Sequence, residues 1–230
     1  MEKGNVRAMK DPVRIWETCR ELFQSAVAKA LEFEKSGKCE AFQQALPVKT
    51  ECAVGSRYLH RGFYCPSPVF DAHVTNIRRG RLLQRITNRS KITHRYFYGE
   101  CGLYMVEYCE GEVFREYILW DGNVRYGFVY SLSGDLNGVS AEVYKDGQLQ
   151  TYLWSLCYQM ARPDDPPAAF QPKLEEYGYT QGRLSDWSIS YVFLYGPEDS
   201  RDNCPENSVD TKHYRVTFPE GKTTLHPIRD

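Results

Sequence analysis

The sequence predicts an α+β fold: a long N-terminal helix packed on a large, twisted, mostly antiparallel β-meander with enough strand to curl into a half-barrel. Three observations carry this. Apolar residues between Val13 and Leu31 recur every three or four positions, the period of one helix face. After about Phe70 the period drops to two, in runs rich in aromatic and β-branched residues. Between those runs stand Asp121-Gly122, Ser133-Gly134, Asn137-Gly138, Asp146-Gly147 and Gln181-Gly182. Asp-Gly and Asn-Gly suit two-residue hairpins because both positions accept positive φ.

The helix comes first. Asp11 is placed to cap it, and Pro12 suits the first helical position, where no N–H is needed. Val13, Trp16, Cys19, Leu22, Phe23, Ala26, Val27, Ala30 and Leu31 make one apolar stripe, and Gly37 suits the residue beyond the C-terminus. A short second helix is expected over Glu40–Leu46, stopped by Pro47. Residues 47–71 show no period and are broken by Gly55, Gly62, Pro66 and Pro68, so they read as a long loop with one strand near Tyr58–Tyr64. Further on, Val124, Tyr126, Phe128 and Tyr130 alternate with Arg125, Gly127 and Val129. Trp187, Ile189, Tyr191, Phe193 and Tyr195 alternate in the same way with Ser188, Ser190, Val192 and Leu194. Roughly eight to ten strands are expected on this pattern. Proline cannot donate to a ladder, so residues 162–176, with Pro163, Pro166, Pro167 and Pro172, read as a loop, as do the polar residues 196–210. The organisation expected is one domain over 1–230: a helical 1–46, a loop-rich 47–69 and a sheet over 70–230.

Gly80-Arg81-Leu82, Gly111-Glu112-Val113, Gly147-Gln148-Leu149 and Gly182-Arg183-Leu184 share the form Gly-polar-aliphatic, at spacings of 31, 36 and 35 residues. With the preceding tyrosine of three of them, this resembles the hairpin of tyrosine–aspartate repeat proteins, whose repeat is shorter. Tight hairpins need the same grammar in any fold, so no family follows from it.

The net charge of −1 and the 14% aromatic content exclude global disorder and a cationic nucleic-acid binder as descriptions of the whole chain. No apolar run reaches the roughly 18 residues a membrane helix needs, so no membrane contact is expected. Residues 1–14 lack the apolar core of a secretory signal. A cytoplasmic location is therefore expected, with the eight cysteines as reduced thiols; none forms a Cys-x-x-Cys pair.

Charge is unevenly distributed. Residues 1–95 carry 18 Lys+Arg against 9 Asp+Glu, and residues 96–230 carry 11 against 21. No acidic residue lies between Asp71 and Glu100, while Arg79, Arg81, Arg85, Arg89, Lys91 and Arg95 all fall on odd positions there. An extended chain would put them on one face, with Leu82, Ile86, Ile92 and Tyr96 on the other. Together with Tyr96 and Tyr98 they are the candidate partner-binding residues, suited to an acidic protein or a phosphorylated ligand. Nucleic acid is the least favoured partner, given the near-zero net charge. The competing expectation is internal neutralisation by Glu107, Glu110, Glu112 and Glu116 on the strands that follow.

Other chemistry is sparser. Cys52, His60, Cys65 and His73, or His94, Cys101 and Cys109, offer soft ligands, but at no compact zinc spacing. No metal or other cofactor is expected. His60, Cys65 and Asp71 could be drawn as a nucleophile, base and orienter, without a glycine elbow beside them. Glu175-Glu176, Asp164-Asp165 and Glu198-Asp199 fall in expected loops and read as solvated charge. Tyr104, Tyr108, Tyr117, Tyr126, Tyr130, Tyr152, Trp120 and Trp154 could furnish an aromatic sheet surface.

Three functions are consistent with this. The first is a non-enzymatic interaction protein using a charged, tyrosine-rich sheet surface, comparable in size and composition to small immunity proteins. The second is a half-barrel that holds a small apolar ligand between helix and sheet, broadly lipocalin-like. The third is an enzyme with Cys/His chemistry near residues 60–73, which requires Cys65 to be an exposed thiol of low pKa.

Overall fold

The computed structural model describes residues 11–55, 58–74, 76–109, 111, 113–158, 168–194 and 208–228. Helix α1 spans Pro12–Lys35, and Asp11 caps it, its Oδ1 accepting from the Val13 N–H at 3.0 Å. Gly37 is left-handed at φ +68° and leads directly into α2, Lys38–Gln44, two residues ahead of the expected start.

The next stretch departs from expectation. A strand that the pattern did not signal, β1, covers Lys49–Val54. The strand expected near Tyr58–Tyr64 is absent, because Arg61 and Gly62 both take positive φ, 52° and 48°, and turn the chain into a 3₁₀ turn over Gly62–Tyr64. A short α3 follows at Phe70–His73, then the two-residue β2, Arg81–Leu82, and a second 3₁₀ turn over Arg89–Lys91.

From there the chain is a meander: β3 His94–Gly99, β4 Gly102–Tyr108, β5 Phe114–Asp121, β6 Val124–Ser131 and β7 Leu136–Lys145. It continues through β8 Gln148–Tyr158, β9 Ala168–Thr180, β10 Arg183–Val192, β11 Val209–Thr217 and β12 Thr224–Pro227. Every pairing is antiparallel. The sheet has twelve strands rather than eight to ten, in the order β12-β11-β10-β9-β8-β7-β6-β5-β4-β3-β1-β2. It does not close on itself; β12 and β2 are its two edges.

Residues 168–176 belong to β9, not to a loop. Pro172 is accommodated because it falls at the register shift opposite β8, between the pairs Trp154–Lys173 and Leu156–Phe170. The pairing with β10 has also ended at Lys173, so no ladder bond is asked of the proline. The acidic pairs Asp164-Asp165 and Glu198-Asp199 lie outside the described residues.

Both faces of the sheet are covered. On one, Ile15, Cys19, Phe23, Ala26, Val27, Ala30 and Phe33 of α1 are buried against Tyr117, Phe128, Val139, Ala141, Leu153 and Leu174. Burying each large side chain of this kind is worth about 1.5–3 kcal/mol. Tyr130 Oη donates to the Ala30 carbonyl at 3.1 Å, and Ser25 and Tyr126 share a 3.0 Å hydrogen bond. The opposite face receives the segment between β1 and β3. Val69 packs with Tyr152, Tyr177, Trp187 and Ile189, while Phe63, Tyr64 and Leu82 pack on Tyr96, Val106, Tyr108 and Ile118. This double covering corrects the expected tyrosine-rich surface: Tyr108, Tyr117, Tyr126, Tyr130 and Tyr152 are core residues. Among the described residues no helix is long and apolar enough to cross a membrane.

Candidate functional site

The basic stretch does not run as one extended strand. Only β2 and β3 are strands, and residues 83–93 between them form a loop with a single 3₁₀ turn, so the odd-position parity fails. The candidate residues divide into two groups. Arg81, Arg85, Arg89 and Lys91 are exposed, as is Arg78, and none of the five has an ion-pair partner among the described residues. Arg79, Arg95, Tyr96 and Tyr98 are occupied inside the molecule. Tyr96 is wholly buried, its Oη donating to the Arg61 carbonyl at 2.9 Å and accepting from the Phe63 N–H. Tyr98 Oη donates to Glu51 at 2.8 Å. Arg95 pairs with Glu107 across β3 and β4 at 2.7 Å, which is the internal neutralisation expected for that position. Glu116 instead meets Arg61, and Glu110 and Glu112 lie outside the described residues.

Arg79 is a clamp. Its guanidinium donates to Asp71 Oδ2 at 2.9 Å, to the Cys65 carbonyl at 2.7 Å and to the Ser67 carbonyl, and it lies 5.1 Å from the Phe70 ring centroid. One side chain thereby ties three parts of the 65–71 loop to the start of the cationic segment. Beside it is an open cleft of about 550 Å³ whose walls include Phe63, Val74, Ile77 and the exposed Arg78.

The loop itself is fixed from beneath by a buried ionic cluster that sequence reasoning missed. Arg61 is fully buried over Gly127. Its Nε donates to Glu116 Oε1 at 3.0 Å and its Nη1 to Glu142 Oε1. Glu116 also accepts from Tyr108 Oη, and Glu142 from Arg125 and Tyr144. Burial works against the Arg61 charge, but Glu142 and Glu116 outweigh it and keep the guanidinium protonated. Burial raises the Glu116 carboxyl despite Arg61 and Tyr108. Glu142 carries the same burial penalty, but two cations, Arg61 and Arg125, hold it below the usual carboxylate range. His60 stacks on Tyr152 with ring centroids 5.3 Å apart. Its Nδ1 is 3.2 Å from Glu116 Oε1, yet neither ring nitrogen has hydrogen-bond geometry to any described group. Burial, and then Arg61 and Arg125, push its pKa well below the ordinary value, so the ring is neutral.

Glu175 was expected as solvated loop charge. It is buried in β9, accepting from Ser67 at 2.7 Å, Tyr177 at 2.6 Å and Trp187 at 2.9 Å. Burial raises its carboxyl. Cys65 is buried too, and desolvation pushes its thiol up to about 12, the opposite of an activated nucleophile. Among the described residues no group of three His, Cys, Asp or Glu side chains is placed to hold a metal ion, so neither drawn set, Cys52/His60/Cys65/His73 nor His94/Cys101/Cys109, is assembled. The seven described cysteines are unbridged, and Cys204 lies outside the described residues.

Comparison of the chain with protein-family models, with curated proteins and with solved structures finds no match in any of the three.

Proposed function

We propose that this chain is a non-enzymatic interaction protein whose cationic edge, Arg78, Arg81, Arg85, Arg89 and Lys91, docks an acidic face of a partner protein. The observation that carries the reading is a concentration of unpaired charge: five exposed cations fall within residues 78–91, a stretch of sequence that holds no acidic residue. Four cations elsewhere have carboxylates beside them: Lys29 meets Asp121, Lys49 meets Glu51, and Arg95 and Arg115 both meet Glu107. The five edge cations have none among the described residues. Concentrated unpaired charge of one sign speeds encounter with a complementary surface and sets the register of docking. The rigid base beneath them, built on Arg61 and Arg79, keeps the cost of ordering the edge low.

The other two readings have less support. The space between α1 and the sheet is filled by Phe23, Phe33, Phe128 and Leu153, leaving a small apolar ligand little to displace. Cys65 is a buried, protonated thiol.

The test is intact-complex mass spectrometry on protein purified gently from its native host. A partner of fixed stoichiometry is expected, released by raised salt. It is expected to be lost from the Arg81→Glu/Arg85→Glu/Arg89→Glu variant at unchanged thermal stability. A partner retained by that variant, or a bare monomer from the native host, overturns the proposal.

A further inference from the structure

The cleft beside Arg79 gives the cationic edge something to offer besides charge. Its walls come from the 3₁₀ turn over Gly62–Tyr64, from α3 with its C-terminal neighbour Val74, and from residues 77–80 ahead of β2. Phe63, Val74 and Ile77 supply its apolar surface, and each is only half-buried. Phe63 also packs on the sheet, whereas Val74 and Ile77 join none of the apolar clusters that cover it among the described residues. Apolar side chains that face open space beside unpaired charge are suited to contact with a partner.

The walls are fixed by bonds already made. The Phe63 N–H donates to Tyr96 Oη at 2.9 Å, and the Phe63 ring meets Tyr64 edge-on with centroids 5.1 Å apart. The Val74 N–H donates to the Phe70 carbonyl at 2.8 Å. Arg79 ties residues 65–71 to the strand that follows, so little of the cleft has to be ordered on binding. Of the three charged side chains that line it, Asp71 and Arg79 satisfy each other at 2.9 Å. The other Arg79 donors are taken by the Cys65 and Ser67 carbonyls. Arg78 is exposed and has no ion-pair partner among the described residues. It stands three residues before Arg81, so the cleft adjoins the cationic edge.

The shape narrows the occupant. A pocket for a free small molecule encloses about 70–90% of its ligand. This cleft, at about 550 Å³, is open, and suits a side chain brought in by a larger partner that is held elsewhere by charge. We infer that it seats one apolar side chain of the acidic partner, of phenylalanine or leucine size, with the carboxylate of a neighbouring partner residue on Arg78. The inference rests on the reading of the edge as a docking surface, and adds to it the segment recognised: an apolar anchor flanked by Asp or Glu. A buried anchor in a preformed pocket carries a large share of binding energy, while the surrounding charges set encounter and register.

The test is fluorescence anisotropy on the full chain with two labelled peptides. One is a short run of alternating Asp and Glu with Phe at its centre; the other has Ser in place of that Phe. Both are expected to bind saturably and to be weakened by salt, the Phe peptide about ten-fold more tightly, the value of burying part of one large apolar side chain. Val74→Gln/Ile77→Gln is expected to bring the Phe peptide down to the level of the Ser peptide and to leave the Ser peptide unchanged. Arg78→Gln is expected to weaken the Phe peptide several-fold more than Arg89→Gln, which removes the same charge away from the cleft. That comparison stands on exposed residues and decides the matter should the double variant fold poorly. Equal affinity for the two peptides, no saturable binding of the Phe peptide at millimolar concentration, a Phe advantage that survives Val74→Gln/Ile77→Gln, or equal losses in Arg78→Gln and Arg89→Gln each overturns the inference. Equal affinity with both peptides lost from the Arg81→Glu/Arg85→Glu/Arg89→Glu variant removes the anchor and leaves the edge standing. Binding of both peptides that ignores this triple variant counts against the edge.

Discussion

Arg61 is held between two carboxylates with no access to water, and that makes it the least replaceable charged residue described. Arg61→Met leaves Glu116 and Glu142 buried without their shared cation, and is expected to cost about 3–5 kcal/mol in urea unfolding. Gly127→Ala is expected to destabilise as well, by about 1–3 kcal/mol. Its new methyl would stand 2.8 Å from Arg61 Nη2 and 2.5 Å from Ser140 Oγ. The buried histidines set the acid response. His60 lies well below its ordinary pKa of 6.5, and His94 is lowered to about 4, in both cases chiefly by burial. The folded chain therefore refuses protons that the unfolded chain accepts. Stability is fully present above pH 6.5 and falls as the pH drops below it, by about 1.4 kcal/mol per pH unit for each ring. The His94 contribution stops growing near pH 4, where the folded ring itself protonates. His73 acts in the same direction. Urea midpoints between pH 7 and pH 5 are expected to decline steeply, and less steeply in His60→Phe, which keeps the stack on Tyr152; equal slopes would exclude a neutral buried His60. Part of this cluster could have been read from the chain. Glu116 and Glu142 stand in phase with Ile118 and Tyr144 on inward positions, and Gly127 interrupts an aromatic strand. That Arg61 is their partner, from 55 and 81 residues away, is a long-range fact without local trace.

At the scale of elements, the local signals worked where local chemistry decides. Asp11, Pro12 and Gly37 bracket α1 because capping and left-handed backbone are properties of single residues. The turns Asp146-Gly147 and Gln181-Gly182 carry positive φ at both positions, 51° and 74° in the first and 51° and 77° in the second. Glutamine is the weaker choice for such a place, so Gln181→Asn is expected to raise the thermal midpoint, by an amount corresponding to a few tenths to about 1 kcal/mol. The local signals failed where tertiary contacts decide. Residues 58–64 carry the composition of a strand, yet Arg61 turns inward and breaks it. The odd-numbered arginines share a parity that only a continuous strand could use, and Asn88 interrupts them by accepting from Ser90 to start a 3₁₀ turn. Alternation also blurs in β6 and β7, because strands covered on both sides need apolar residues on both.

Over the whole molecule, the arrangement is a sheet held in the middle by a helix on one side and a loop segment on the other. Protection should follow that layering. Amide exchange is expected to be slowest in β6, β7 and β8, where α1 and Arg61 press from opposite faces, and fastest in β2 and β12. Uniform exchange across all twelve strands would argue against it. The meander order itself was legible, since short turns force neighbouring strands to pair; the number of strands and the absence of closure were not, because register is invisible without partners. The two free edges have a further consequence. An open sheet invites the addition of strands from other copies. Here β12 ends at Pro227, which offers no donor, and β2 is only two residues long and sits among unpaired guanidinium groups. Two molecules meeting β2 to β2 would bring ten uncompensated cations together. The charge we propose receives an acidic partner would also oppose growth of the sheet along its own hydrogen-bond ladder at this edge, a restraint expected to weaken as added salt screens the repulsion.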